Sequence, residues 1–195
     1  MKRVLLSILI VLMLALSCEA QQVFVMKKKA GGSSLAYFGY QADKSSPSIS
    51  TWDQNASQGS YTKASLWQYG GTTGTLSDLC VWVKSAGGTA ANIRIALYDN
   101  AGNLIAQWGS EVNISSTTAA WVCAPSLSAT PTITNGNYYR LASGVDGSDV
   151  QIGYTTGSSG DFTYESADRT GGFPATITAS SNSTRLRALI AEVTY

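Results

Sequence analysis

The chain contains no histidine, so its chemistry rests on carboxylates, hydroxyls and aromatic rings. Ser-His-Asp and Cys-His nucleophile arrangements are therefore excluded, as are most metal hydrolase sites. Carboxylates remain. A glycosidase needs two carboxyl groups roughly 5–10 Å apart in a cleft, and Asp161, Glu165 and Asp168 are the densest acidic group. Their setting, SSGDFTYESADRTGG, reads as a strand with flanking loops whose charges face water, so no enzyme is predicted. Calcium suits hard oxygen donors in tight turns. Asp99-Asn100-Ala101-Gly102-Asn103 and Asp146-Gly147-Ser148-Asp149 supply such donors, although neither has EF-hand spacing. The same residues favour tight turns without any metal. No cofactor is expected, and structural calcium is the metal these turns would suit.

Aromatic rings are the other chemical resource, with five tryptophans and ten tyrosines. Between Asp78 and Asp99, Val81, Val83, Ile93, Ile95 and Leu97 alternate as one apolar face, leaving Cys80, Trp82, Arg94 and Tyr98 on the other. A symmetric hairpin of Leu76–Lys84 with Asn92–Tyr98 would set Trp82 beside Arg94, Cys80 beside Ala96 and Asp78 beside Tyr98. An exposed Trp82–Arg94 stack beside a polar donor suits a sugar ring. The competing expectation is that a loop, such as residues 41–60, or a second layer covers Trp82. Trp52 and Trp67 are further ligand-binding candidates, whereas Trp121, opening an apolar strand, is expected in the core.

The elements that position these rings follow from short apolar runs separated by Gly, Asn, Ser and Asp, with no sustained helical period. Strands are expected at Leu35–Tyr40, Tyr61–Trp67, Leu76–Lys84, Asn92–Tyr98, Leu104–Trp108, Ala120–Leu127, Thr132–Thr134, Tyr138–Ser143, Val150–Thr155, Asp161–Tyr164 and Leu186–Thr194. The last run changes parity between Leu186 and Leu189, which predicts a bulge or burial on both faces. The pattern is all-β: an antiparallel, jelly-roll-like β-sandwich in a single domain over residues 35–195.

Residues 1–20 carry Lys2 and Arg3, an apolar run from Val4 to Leu16, and Ala20 at a cleavage position, and so read as a signal peptide. Residues 21–34 read as a linker or an edge strand. Cys18 follows Ala15-Leu16-Ser17, which resembles a bacterial lipobox with its leucine one place displaced; a lipid anchor there is the alternative outcome of processing. After cleavage 11 basic and 11 acidic side chains remain. A neutral chain is a poor partner for nucleic acid, whose affinity comes largely from neutralising phosphates. Cys80 and Cys123, the remaining cysteines, are expected to form one disulfide in an oxidising compartment. With no histidine they fall short of a zinc site. These features place the protein outside the cell or on its surface, with no membrane span after processing.

TLSDLCVWVKS, NIRIALYDNAGNLIAQ, NGNYYRLA and the closing ALIAEVTY resemble exported bacterial and archaeal jelly-roll β-sandwich modules, and more distantly carbohydrate-binding modules. The resemblance implies a sandwich and transfers no site residue. Taken with the neutral, Trp- and Tyr-rich composition, it predicts a non-catalytic module binding a glycan or cell-surface polymer through exposed aromatics. The alternative is a structural subunit of a surface layer, appendage or virion fibre, with Val23–Met26 as an exchange strand.

Overall fold

The computed structural model describes residues 26–28, 34–41, 43–54, 61–146, 149–156, 162–166, 172–178 and 185–195. In chain order its strands are β1 (Met26–Lys28), β2 (Ser34–Gly39), β3 (Trp52–Gln54), β4 (Tyr61–Gln68), β5 (Gly74–Ser85), β6 (Ala91–Asp99), β7 (Leu104–Gln107) and β8 (Val112–Ile114). They continue with β9 (Ala120–Cys123), β10 (Thr132–Ile133), β11 (Tyr138–Asp146), β12 (Val150–Thr156), β13 (Phe162–Ser166), β14 (Arg185–Arg187) and β15 (Leu189–Thr194). No helix occurs among the described residues.

Two antiparallel sheets form a β-sandwich. The first runs β1-β2-β15-β5-β12-β14, with β3 on β12 and both β9 and β10 on β5; the second runs β13-β4-β11-β6-β7, with β8 on β6. Alternation explains the layering, since successive residues of a strand point to opposite faces. Val81 and Val83 of β5 meet Ile93, Ile95 and Leu97 of β6 and Leu141 of β11 in one core. Each such side chain contributes roughly 1.5–3 kcal/mol by leaving water. β1 pairs with β2 from Met26 opposite Ala36 to Lys28 opposite Ser34, at the edge of the first sheet.

The closing segment divides at Ala188. Its N–H donates to Gly153 O and its carbonyl accepts from Trp82 N, tying β12 and β5 together where the chain bends. The bend reconciles Leu186 and Leu189 with one core, and a second irregularity shifts the β15–β5 register between Glu192 and Val193. Cys80 and Cys123 lie opposite each other on β5 and β9 and form the disulfide, with Cα atoms 4.1 Å apart. Their separation of 43 residues restricts the unfolded chain enough to stabilise the fold by about 4 kcal/mol.

Candidate functional site

The expected β5–β6 hairpin does not form. The two strands belong to different sheets, so Trp82 and Arg94 are not cross-strand neighbours. Their apolar residues face each other across the core instead of lying side by side, and the alternation is the same in both arrangements. The corner between them is set by Ser85 Oγ, which accepts from Gly88 N at 2.8 Å and donates to Thr89 O at 3.1 Å. On the outer side of β5, Cys80 is opposite Cys123 and Trp82 is opposite Trp121.

For Trp82 the covered expectation holds in place of the exposed stack. Trp82 is 8 % exposed and packs edge-on against Trp121, ring centroids 5.6 Å apart. Residues 43–51 lie against this pair as a strap that leads into β3, itself paired with β12. Trp121 Nε1 donates to Ser45 O at 2.8 Å, which draws Trp121 to the outer face and away from its expected core position. Lys44 Nζ lies 3.0 Å from Asp78 Oδ2 and 3.2 Å from Glu192 Oε2. Ile49 and Trp82 both reach Gly153, where a Cβ would come within 2.8 Å of Ile49 Cδ1 and 3.0 Å of Trp82 Cδ1; only glycine leaves room for them.

The remaining candidates separate. Tyr98 is fully buried, its hydroxyl donating to Pro174 O at 3.0 Å and its ring edge-on to Phe173. Arg94 is half-buried on the same strand. Trp67 is buried on β4 in the main core. Trp52 is half-buried, and Lys84 Nζ sits 4.3 Å from its ring centroid; this is the cation–π pair of that face, in place of Trp82–Arg94.

A charged cluster that the sequence reading missed lies between the sheets. Asp53, at the strap's β3 end, is buried together with Lys63 and Arg187. Arg187 Nη2 pairs with Asp53 Oδ2, Lys63 Nζ lies 3.4 Å from the same oxygen, and the half-exposed Arg185 reaches Asp53 Oδ1 at 3.4 Å. Arg187 Nη1 donates to Ser143 Oγ at 2.6 Å, and its backbone N–H donates to Ser65 Oγ at 3.3 Å. Burial pushes the Asp53 carboxyl up, but the charges of Arg187 and Lys63 outweigh it and hold the group below the ordinary carboxylate range. Burial and the neighbouring Arg187 bring the Lys63 amine down to about 8. Asp53 thereby joins the strap's β3 end to Lys63 of β4 and to Arg185 and Arg187 of β14, so the cluster is built as a clamp on the strap.

An open site forms where two turns converge at one end of the second sheet. Residues 99–103 join β6 to β7, and residues 134–137 lead into β11. Asp99 Oδ1 accepts from Asn103 N and Asp99 Oδ2 from Asn103 Nδ2, both at 2.8 Å. Burial works against ionisation of Asp99, but the hydrogen bonds from Asn103 and the turn amides outweigh it and lower its pKa. Each carboxylate oxygen thus takes a hydrogen bond within the turn. Gly102 at φ 91° and Gly136 at φ 82° adopt the left-handed conformation that the turns demand. Between the turns is a concavity of about 330 Å³, lined by Asp99, Asn100, Asn137 and Tyr138 among others. Tyr138 is 44 % exposed and is the one exposed large hydrophobic side chain among the described residues. Tyr139 points the other way, into the core, with its hydroxyl accepting from Thr134 N at 2.9 Å. The NGNYY run contains the signal for this site, but it does not reveal which tyrosine faces out.

Several predicted features lie outside the described residues: the leader, Cys18, Val23, Asp161, Asp168, and Gly147-Ser148 of the second turn. Asp78 gathers with Cys80 and Cys123, all ligand atoms within 4.8 Å of one another; the disulfide occupies both sulfurs, and Asp78 Oδ1 accepts from Leu79 N and Ala124 N. No family model matches the chain, and no curated protein matches it.

Proposed function

We propose that this is a non-catalytic, exported β-sandwich module that binds a neutral glycan or similar cell-surface polymer at the concavity beneath Tyr138. The observation that carries the reading is an exposed phenol ring beside two exposed asparagines, Asn100 and Asn137, on preformed turns. A sugar's C–H face packs on such a ring while the amides exchange hydrogen bonds with its hydroxyls. The disulfide suits an oxidising compartment, in line with export.

Retention on insoluble and soluble polysaccharides tests the reading, with Tyr138→Ala and Asn137→Ala as variants and product analysis of the same incubations. Expected is saturable retention of the wild type without release of smaller sugars, weakened about tenfold by Tyr138→Ala. Retention on no glycan, or equal retention by both variants, would overturn it.

A further inference from the structure

A second cleft, separate from the Tyr138 concavity, lies where Gln41, Pro47 and Ser48 meet β4, β12 and β14. Its volume is about 420 Å³, within the range of small-molecule sites. Tyr40, Pro47, Trp67 and Leu186 give it apolar walls, Ser48 and Thr155 contribute hydroxyls, and no lining side chain is charged. The rim is braced by Gln41 Nε2, which donates to Asp43 O at 2.8 Å and Ser45 O at 2.5 Å.

Trp67 supplies the second, independent observation. It is only 4 % exposed, and its indole nitrogen is buried without a hydrogen-bond partner. Another buried indole has its partner: Trp108 Nε1 donates to Leu79 O at 2.9 Å. Leaving a buried donor unmade costs more than an average hydrogen bond gains, and folded proteins satisfy almost all of them. Trp67 thus both lines an uncharged cleft and carries an unmet donor just beneath its surface, a combination that favours an occupant that brings an acceptor.

We propose that this cleft binds a small neutral molecule with an apolar ring or chain and one carbonyl-type oxygen, which accepts from Trp67 Nε1 after a small shift of the ring. A charged ligand is disfavoured because no lining group compensates it. An acceptor-free ligand leaves the indole as it was and gains only the contact area.

The probe is prodan, a neutral naphthalene ketone whose emission moves to the blue in apolar surroundings, compared with 2-dimethylaminonaphthalene, which lacks the ketone. Titrations use the full chain, Thr155→Trp to fill the cleft mouth, and Trp67→Phe to keep an aromatic wall without the N–H. Expected is saturable 1:1 binding of prodan to the wild type, abolished by Thr155→Trp. Trp67→Phe should weaken prodan about threefold to tenfold and leave the ketone-free compound unchanged. Unaltered prodan binding in Thr155→Trp would place the dye elsewhere, and absence of saturable binding would remove the site; either overturns the proposal. Equal loss of both probes in Trp67→Phe would overturn the acceptor chemistry. Near-ultraviolet circular dichroism checks folding, and if Trp67→Phe does not fold, Thr155→Trp with the two probes decides.

Discussion

Trp82 and Tyr138 both stand on outward faces of β-strands, yet one is closed off and the other open. Beside Trp82 the chain lays residues 43–51, fixed by Lys44 at one end, by Ser45 at the Trp121 indole, and through β3 by Asp53 at the other end. Over Tyr138 nothing described crosses; of the adjoining turns, one is closed by Asn103 bonding back to Asp99 and the other is tied from the side to Tyr69 and Thr73. An aromatic on the polar side of an alternating strand therefore says little about binding until the path of the neighbouring loops is known. The strap converts Trp82 into packing; the two turns leave Tyr138 as surface.

The largest expected effect breaks the strap at its buried anchor. Asp53→Ala leaves Arg187 and Lys63 without their shared carboxylate, and removing one partner of a buried ion pair typically costs about 3–5 kcal/mol. Urea unfolding should show that loss in the midpoint, while Arg185→Ala, whose side chain is half exposed, should cost well under 1 kcal/mol. An Asp53→Ala loss no larger than that of Arg185→Ala would mean the cluster does not clamp the strap.

Trp82→Ala sharpens the same contrast from the other side. Truncating a buried tryptophan costs roughly 3 kcal/mol or more through lost burial and a cavity, so thermal stability should fall. Glycan retention by the folded fraction should be unchanged, since Trp82 is remote from the turns that hold Tyr138. Loss of retention at unchanged stability would return the binding role to Trp82.

A smaller effect appears with pH. The Lys63 amine, near 8 in the folded protein, has an ordinary value of 10.5 when unfolded, so between these values the unfolded chain binds more protons. Stability carried by this group therefore rises as pH rises from about 8, by roughly 1–2 kcal/mol by pH 9.5. Above pH 10 the buried tyrosines reverse the trend: burial raises the Tyr69 hydroxyl to about 12, so the unfolded chain loses phenolic protons first. Chemical unfolding of wild type and Lys63→Met at pH 7.5 and 9.5 checks the assignment; the rise should be confined to the wild type.

How much of this was legible in the sequence depends on what alternation encodes. Period-two patterns in VWVK, IRIAL and YYRLAS identify β5, β6 and β11 and the buried face of each, and the cysteine pair announces its bridge. Alternation is blind to whether two strands pair edge to edge or face each other across a core, which is why the β5–β6 hairpin was expected. Three-residue strands such as β3 and β8 are too short to carry a period. The charged cluster was hidden because Asp53 sits in the polar run SISTWDQNAS and resembles a loop residue. Arg187, inside RLRALIA, was the available hint: a guanidinium in an apolar run requires a buried partner, though no local feature says which acid supplies it.

The smallest expected effect on stability is the one most informative about function. Tyr138 lies at the start of β11, opposite Gln68 of β4, with nearly half its surface in water. Tyr138→Ala therefore forfeits little burial, and its unfolding midpoint should shift by no more than about 0.5 kcal/mol. Set beside Trp82→Ala, the two variants should separate cleanly: a large stability loss with intact retention for Trp82, intact stability with lost retention for Tyr138. A large stability loss in Tyr138→Ala would mean that the ring is part of the packing at this end of the sandwich, and the openness that distinguishes the two regions would vanish with it.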